Sequence, residues 1–231
     1  MYNLKLNNFH LNPKNSTIYT PKEVSEFLFN LLKDKISKEG FILDPCFGRG
    51  SLLIPWTPTY PTFGIDNDPQ AFEVESYGSL ETDFLQLTRP FTSEQGKDDG
   101  DKANLNWLNN NNPALILCNP PFNGYKRKLA CEVWLDKIIE LFGKEVPMVL
   151  FVPMGFRLNS KSNGKRWSKF NNNHYPPISS IISLPLDIFT NVEFHTEILI
   201  FNIKDLQEPW KCSRGSKITS LQPHYFFKHY E

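Results

Sequence analysis

The chain has 231 residues, enough for one large domain with a substantial core. Hydrophobic residues make up 40% and charged ones 22%, which is not the composition of a disordered chain, and no apolar run approaches the ~20 residues of a membrane-spanning helix. With 25 basic and 25 acidic side chains the formal net charge is zero, so composition alone does not mark a dedicated nucleic-acid binder.

Residues 1–19 read as an irregular leader, and "MYNLKLNNFHLNPKN" lacks the apolar stretch of a secretory signal. Thr20-Pro21 opens a helix, Thr as cap and Pro at the first helical position. Val24, Phe27, Leu28, Leu31, Leu32 and Ile36 follow at helical spacing, and Gly40 ends the stretch. "FILDPCFGRGSLLIPW" then gives a short strand (Phe41 to Leu43), an acid-proline step, a glycine pair and the start of a further helix. "PTFGIDND" is a second strand ending in acids, and "LETDF" a weaker third. Residues 91–112 are polar and low in complexity and read as a mobile surface loop anchored by Trp107-Leu108.

The strand "ALILC" leads into Asn119-Pro120-Pro121-Phe122, and a helix is expected from about Lys128 to Phe142. "PMVLFVP" is a continuous apolar run of the kind buried on both faces of a parallel sheet. Residues 155–177 form a basic loop: Arg157, Lys161, Lys165, Arg166 and Lys169 occur there with no acidic residue from Gly155 to Tyr175. "SSIISLP" and "TEILIFNI" close the series as neighbouring strands. Helices alternating with strands, then strands close together, predict an α/β, Rossmann-like doubly wound sheet, mostly parallel with an antiparallel edge, in one domain over residues 1–231. The four cysteines (Cys46, Cys118, Cys131, Cys212) are far apart with no C-x-x-C pair. That spacing predicts no metal site and suits reduced thiols in the cytoplasm.

Four strand ends carry residues with chemistry. In "DPCFGRGSLL", Gly48 and Gly50 let the backbone approach a ligand, and Asp44 is suited to an ammonium group; an ordinary strand-helix turn is the alternative. Asp66 in "GIDNDP" lies 22 residues after Asp44, close to the ~20-residue spacing between a glycine turn and an acid that accepts from both ribose hydroxyls. Asp68 reads as a helix cap ahead of Pro69. Asp83 could accept from an adenine amino group with Phe84 against the ring, or simply end a strand. In N-P-P-F, each proline fixes its own φ and keeps the preceding residue extended. The Asn119 side-chain oxygen and the Pro120 carbonyl can then converge on one NH₂ group, with Phe122 as a stacking face.

The ordered set resembles the S-adenosylmethionine-dependent amino-methyltransferases, in particular DNA adenine-N6 methyltransferases with the gamma order of motifs, over about residues 19–202. "YTP" (Tyr19, Thr20) resembles the N-terminal motif that helps hold the methionine end of the cofactor. "DPCFGRGS" (Asp44, Pro45, Cys46, Gly48, Gly50) is similar to the glycine-rich motif, "GIDND" (Asp66, Asn67) to the ribose-binding acid, and "TDFL" (Asp83, Phe84) to the adenine contact. "NPPF" (Asn119, Pro120, Pro121, Phe122) resembles the catalytic tetrapeptide, in which Asn119 lies beside the cofactor as well as the base. "LPLDIFTNVEFHTEILIF" is similar to the late motif whose aromatic helps hold a flipped base, with Phe189 and Phe194 as candidates.

The resemblance implies a class I methyltransferase fold and methyl transfer from S-adenosylmethionine to adenine N6 in DNA, without a metal or a membrane, in the cytoplasm beside the nucleoid. Related tetrapeptides serve RNA adenine or guanine-N2 methylation and glutamine methylation in protein, and a non-catalytic cofactor-binding subunit is a further class. RNA is the second expectation for the substrate. Only about 30 residues follow Ile203, so no large target-recognition region is expected. Specificity then falls to the basic loop, with Lys165 and Arg166 as substrate contacts, or to a partner subunit of a restriction-modification system.

Overall fold

Every residue of the three central strands is at least partly buried: β1 (Phe41–Asp44), β4 (Pro113–Cys118) and β7 (Met148–Pro153) are apolar on both faces. A strand of this kind needs cover above and below, which dictates three layers. Side chains alternate between the two covers as a period of two requires. Phe41, Leu43, Ile116, Leu150 and Leu199 share one apolar cluster, while Ile42, Leu115, Leu117, Val149 and Ile198 share the other. The computed structural model describes residues 18–68, 76–122, 124–125, 128–157, 161, 164–189, 194–206 and 225–226.

The remaining strands are β2 (Thr62–Asp66), β3 (Gly78–Glu81), β5 (Gly124–Tyr125), β6 (Lys128–Leu129), β8 (Ile178–Ser183), β9 (Thr196–Phe201) and β10 (Tyr225–Phe226). The main sheet runs β10-β8-β9-β7-β4-β1-β2-β3, and β5 and β6 form a separate antiparallel pair. Strands β3, β2, β1, β4 and β7 are mutually parallel, whereas β9 is antiparallel to both of its neighbours. The doubly wound α/β sheet with an antiparallel strand pair thus stands as the sequence predicts. The chain moves outward from β1 through β2 to β3, then returns to place β4 on the other side of β1. This reversal opens a crevice at the carboxyl ends of β1 and β4.

Helix α1 (Lys22–Leu32) buries Val24, Leu28 and Leu32 against one face. It begins one residue later than the Thr20-Pro21 reading: Pro21 is the flanking residue, and the Thr20 side chain does not cap it. Residues 51–59 do not form the helix expected after the glycine pair. Leu53 and Ile54 both donate to the Gly50 carbonyl at 2.9 and 3.1 Å, and Trp56 and Thr57 to the Leu53 carbonyl at 2.9 and 3.2 Å. Pro55 and Pro58 have no N–H to continue this ladder, so only separate helical turns result. Those turns still bury Leu52, Leu53 and Trp56 beside α1.

The segment 91–112 departs most from expectation. It carries a short 3-10 turn (Ser93–Gln95) and a helix, α2 (Asp99–Asn110), in place of a mobile loop. The Asp98 carboxylate caps α2 by accepting from the Asp101 N–H at 2.8 Å. Leu105 and Leu108 are buried, and Trp107 stacks on Phe63 at 5.7 Å with the rings nearly parallel. Asn109 holds both backbone groups of Phe91, at 2.9 and 2.6 Å. Asparagine is a weak helix former, so tertiary anchoring and a cap, not propensity, stabilise this helix. Helix α3 (Ala130–Phe142) packs into the same apolar cluster as α2, and the basic loop contains α4 (Lys165–Asn171). No helix among the described residues is long and apolar enough to cross a membrane.

Asp98→Ala removes the α2 cap and is expected to cost about 0.5–2 kcal/mol, read as a lower denaturant midpoint with an unchanged slope. An unchanged midpoint would show that α2 is held by its leucines alone.

Candidate functional site

Each acid singled out in the sequence lies at or just beyond a strand's carboxyl end. Asp44 ends β1 and Asp66 ends β2, while Asp83 lies two residues past β3 and Asn119 one past β4. Parallel strands with one reversal therefore bring four separate motifs to one rim. The glycine loop after β1 is tied to β2: Phe47 N–H donates to the Ile65 carbonyl at 3.0 Å, and Gly48 N–H to Asp66 Oδ2 at 2.8 Å. Gly48 has φ of +50°, and a Cβ there would meet the Tyr19 ring at 3.3 Å. Gly64 has no room for one either, because a Cβ would lie 2.5 Å from the Phe47 ring.

Two adjoining hollows result. The first, of about 230 Å³, is lined by Tyr19, Thr20, Asp44, Cys46, Gly48, Asp66, Asn67 and the whole N-P-P-F segment, Asn119 to Phe122. The second, of about 190 Å³, is lined by Pro45, Cys46, Asp66, Asn67, Asp83, Phe84 and Pro121. Cys46, Asp66, Asn67 and Pro121 border both. Gly50 borders neither: it closes the turn by donating to the Phe47 carbonyl at 2.8 Å, with φ of +75°. Phe84 is 3% exposed and packs mainly in the core, so it offers the second hollow little of its ring. Asp83 caps the short turn Phe84–Gln86 through Leu85 N–H at 3.0 Å. The hollows also include Arg49, Leu85 and Trp134, which sequence reasoning did not name. Arg49 lies over the Tyr19 ring at 4.5 Å, a contact with no signature in sequence spacing. Pro69 lies outside the described residues, as do residues 190–193 of the late motif.

Two buried polar groups stand out. Asp44 is 1% exposed and accepts one hydrogen bond, from Cys46 N–H at 3.0 Å. Burial pushes its carboxyl up to about 8, and the Asp66 charge adds to the rise against the opposing Cys46 bond. The second group is the Asn119 amide. Its Nδ2 donates to Thr20 Oγ1 at 2.9 Å, while its Oδ1 is buried and has no hydrogen-bond partner. An unmet buried acceptor costs about 1–3 kcal/mol. Asp66, by contrast, is tied at both oxygens, to Gly48 and Asp68 N–H groups, and each oxygen retains a lone pair. The Cys46 and Cys118 sulfurs are 4.0 Å apart, and burial raises both thiols. Among the described residues no cluster of three or more His, Cys, Asp or Glu side chains could hold a metal ion.

Phe122 packs edge-on against both late aromatics, Phe189 at 5.4 Å and Phe194 at 5.1 Å. Phe189 is 1% exposed and belongs to the core, whereas Phe194 is only half-buried. The basic loop divides similarly. Lys161 and Lys165 are exposed, and Trp167 is 37% exposed. Arg166, expected as a substrate contact, is engaged within the protein. Its Nε donates to Glu132 at 3.0 Å, its Nη1 donates to the Phe156 carbonyl at 3.1 Å, and its guanidinium lies over the Phe156 ring. Glu132 is 5% exposed on α3, and a carboxylate so placed needs a cation beside it. Lys169 is held likewise by Asp136, at 2.5 and 2.6 Å.

Asp44→Asn is expected to stabilise the ligand-free protein at high pH. Folding raises the carboxyl from its unfolded value of about 3.9 to about 8. The native state therefore loses stability as pH rises through that interval, and the full penalty remains above it. The difference in melting temperature, variant minus parent, should be near zero at pH 4, grow to pH 8 and then level off. A flat difference would mean that Asp44 is ionised in the folded protein.

The family model of the N-6 DNA methylases matches residues 1–218. None of the proteins with curated descriptions matches the sequence. Among solved structures, the methyltransferase subunit of the type I restriction-modification system from Streptococcus thermophilus superposes with a TM-score of 0.55 at 19% identity, over 81% of this chain and 45% of that one. A nuclease-deletion mutant of the type ISP restriction-modification enzyme LlaGI, in complex with a DNA substrate mimic, gives 0.56 at 11% identity, over 87% and 28%. The type IIG restriction endonuclease BpuSI gives 0.55 at 14% identity, over 86% and 27%. The chain spans less than half the length of each of these three structures, which share its fold. With the family model matching most of its length and its motifs gathered on one rim, the chain belongs to the N-6 DNA methylase family.

Proposed function

We propose that the chain transfers a methyl group from S-adenosylmethionine to the N6 amino group of adenine in DNA. The observation that carries this reading is the buried, unpartnered Asn119 oxygen beside a crevice rimmed by carboxyls. An aminoacyl nucleoside suits the residues present. Asp44 is matched to an ammonium, Asp66 to two ribose hydroxyls, and Asp83, beside Leu85 and Trp134, to an adenine edge. When bound, the cofactor supplies an electrophilic methyl group on sulfur. Its ammonium favours the ionised form of Asp44, so binding near neutral pH is accompanied by proton release from this carboxyl.

The acceptor amine is a weak nucleophile because its lone pair is delocalised into the ring. Asn119 Oδ1 and the Pro120 carbonyl accept its two hydrogens, which draws the nitrogen toward tetrahedral geometry. Phe122 supplies the stacking face, and the half-buried Phe194 is better suited than the core residue Phe189 to complete the slot. In a duplex the amine is hidden, so the base must leave the stack. Lys161 and Lys165 beside Trp167 are suited to backbone phosphates and an unstacked base. The similar structures include the methyltransferase subunit of a type I restriction-modification system, and on that likeness sequence specificity is assigned to a partner subunit.

The test is incubation with radiolabelled methyl donor and, in parallel, duplex DNA, single-stranded DNA, RNA and protein, followed by nucleoside and amino-acid analysis. N6-methyladenine from DNA is expected; label in RNA or in glutamine would replace the substrate assignment. Asn119→Ala should lower the transfer rate roughly 10²–10³-fold, as loss of an oriented oxyanion-hole donor does, with cofactor affinity within a few-fold of the parent. Retained turnover would reject the mechanism.

Removing the two exposed lysines, Lys161→Ala with Lys165→Ala, should weaken DNA binding and reduce the slope of log affinity against log salt by up to about 2. Arg166→Ala should act on stability instead, costing up to about 3–5 kcal/mol, since it leaves buried Glu132 with only Lys169, at 3.9 Å, as a cation. A lower salt slope at unchanged stability would return Arg166 to the interface.

A further inference from the structure

Resting on the methyl-transfer reading, we propose that Arg49 receives the carboxylate at the amino-acid end of the cofactor, so that the first hollow selects a zwitterion and not simply a cation. The two hollows are lined by four acids, Asp44, Asp66, Asp68 and Asp83, and among the described residues by one basic side chain, Arg49. An ammonium bound at Asp44 favours the ionised carboxyl there, which makes this wall more negative still. The ammonium and carboxylate of an amino acid are carried on the same carbon. A ligand that brings its ammonium to Asp44 therefore brings its carboxylate into the same acid-lined space. Repulsion opposes that arrangement unless a cation faces the carboxylate.

The glycine loop places Arg49 for this contact. Gly48 and Gly50 flank it with φ of +50° and +75°, and Gly50 N–H closes the turn on the Phe47 carbonyl at 2.8 Å. Just before it, the Phe47 and Gly48 N–H groups are bonded to Ile65 and Asp66 of β2, so the backbone beneath Arg49 is anchored to the sheet. The side chain is exposed, and its guanidinium lies over the Tyr19 ring at 4.5 Å, on the wall of the same hollow. Gly48 admits that ring, since a Cβ there would lie 3.3 Å from it. A guanidinium directs its N–H donors within its own plane, and that fork matches the two oxygens of a carboxylate. Held against a ring, it loses less freedom on pairing than a solvated ammonium would. The first hollow thus pairs an acid and a base of its own with the base and acid of the ligand.

The experiment measures by calorimetry the Kd of S-adenosylmethionine and of its decarboxylated form, for the parent, Arg49→Met and Arg49→Lys. The second ligand keeps the nucleoside, sulfonium and ammonium and lacks only the carboxylate. The parent should prefer S-adenosylmethionine about 10-fold, the low end for a charged hydrogen-bonded pair at an exposed position. Arg49→Met should erase this preference by weakening S-adenosylmethionine, with the decarboxylated form within a few-fold of its parental Kd. Arg49→Lys, which keeps the charge without the fork, should restore part of it. Tm, followed alongside, should stay near parental for a change at an exposed side chain between two glycines. A Met variant that keeps the preference overturns the proposal. So does equal weakening of both ligands, since Arg49 would then only steady Tyr19 or shape the hollow. Loss of the preference wholly through tighter binding of the decarboxylated form overturns it too, because Arg49 would then act only by repelling surplus positive charge. A parent that binds neither ligand rejects the cofactor assignment together with this proposal. The expected binding pattern in a parent that transfers no methyl group to any substrate would instead support the contact and reject the reaction alone.

Discussion

Two polar groups left wanting at the carboxyl ends of adjacent strands give this molecule its chemical character. Asp44 is a carboxyl that burial keeps from its charge, and Asn119 is an amide whose oxygen lacks a donor. Both are costs to the ligand-free fold: a buried acceptor without a partner, and a carboxyl lifted out of its ordinary range, whose cost appears as pH rises through that interval. Each lack has a matching ligand group: a cation for Asp44, a primary amine for Asn119. A cofactor with an ammonium and a substrate with an exocyclic NH₂ supply both.

The fold tolerates these costs because they are confined to a rim carried by an apolar sheet. The three central strands are covered on both faces, and clusters above and below interlock through alternating side chains. Reversal of strand order at β1 and β4 leaves the ends of these strands uncovered by a crossover, so the rim is open where the core is strongest. Bonds from the glycine loop to β2 and to Asp66 make the loop an extension of the sheet. The hollows are consequently lined by groups whose backbone is fixed before any ligand arrives, which is where positioning contributes most to rate.

What was legible in the sequence is what depends on short-range rules. Apolar runs gave the strands, proline and glycine gave the turns, and the acids at strand ends gave the rim. The departures all come from contacts distant in sequence. The α2 segment reads as a loop because asparagine and aspartate dominate it, yet Asp98 caps it and Trp107 finds Phe63. Helical order after the glycine loop fails at Pro55 and Pro58, which a reading that follows apolar spacing passes over. Thr20 reads as a helix cap from its neighbours, but its partner is 99 positions away. Arg166 looks like a free cation in a run without acids, because Glu132, which neutralises it, lies on another helix.

That last point bears on how the molecule meets DNA. Local charge in the 155–177 segment overstates the cation available to a polyanion: Arg157 is bonded to Glu197, Arg166 to Glu132 and Lys169 to Asp136. Three of its five basic side chains thus stabilise the seams between α4, α3 and the antiparallel strands, leaving Lys161 and Lys165 exposed. Within this segment, two exposed lysines contribute about two units of salt slope at most. On the methyl-transfer reading proposed above, a segment with so few free cations is suited to a base already delivered to the slot. The asymmetry is physically consistent: the ion pairs that hold α4 against α3 engage charges that would otherwise attract a polyanion.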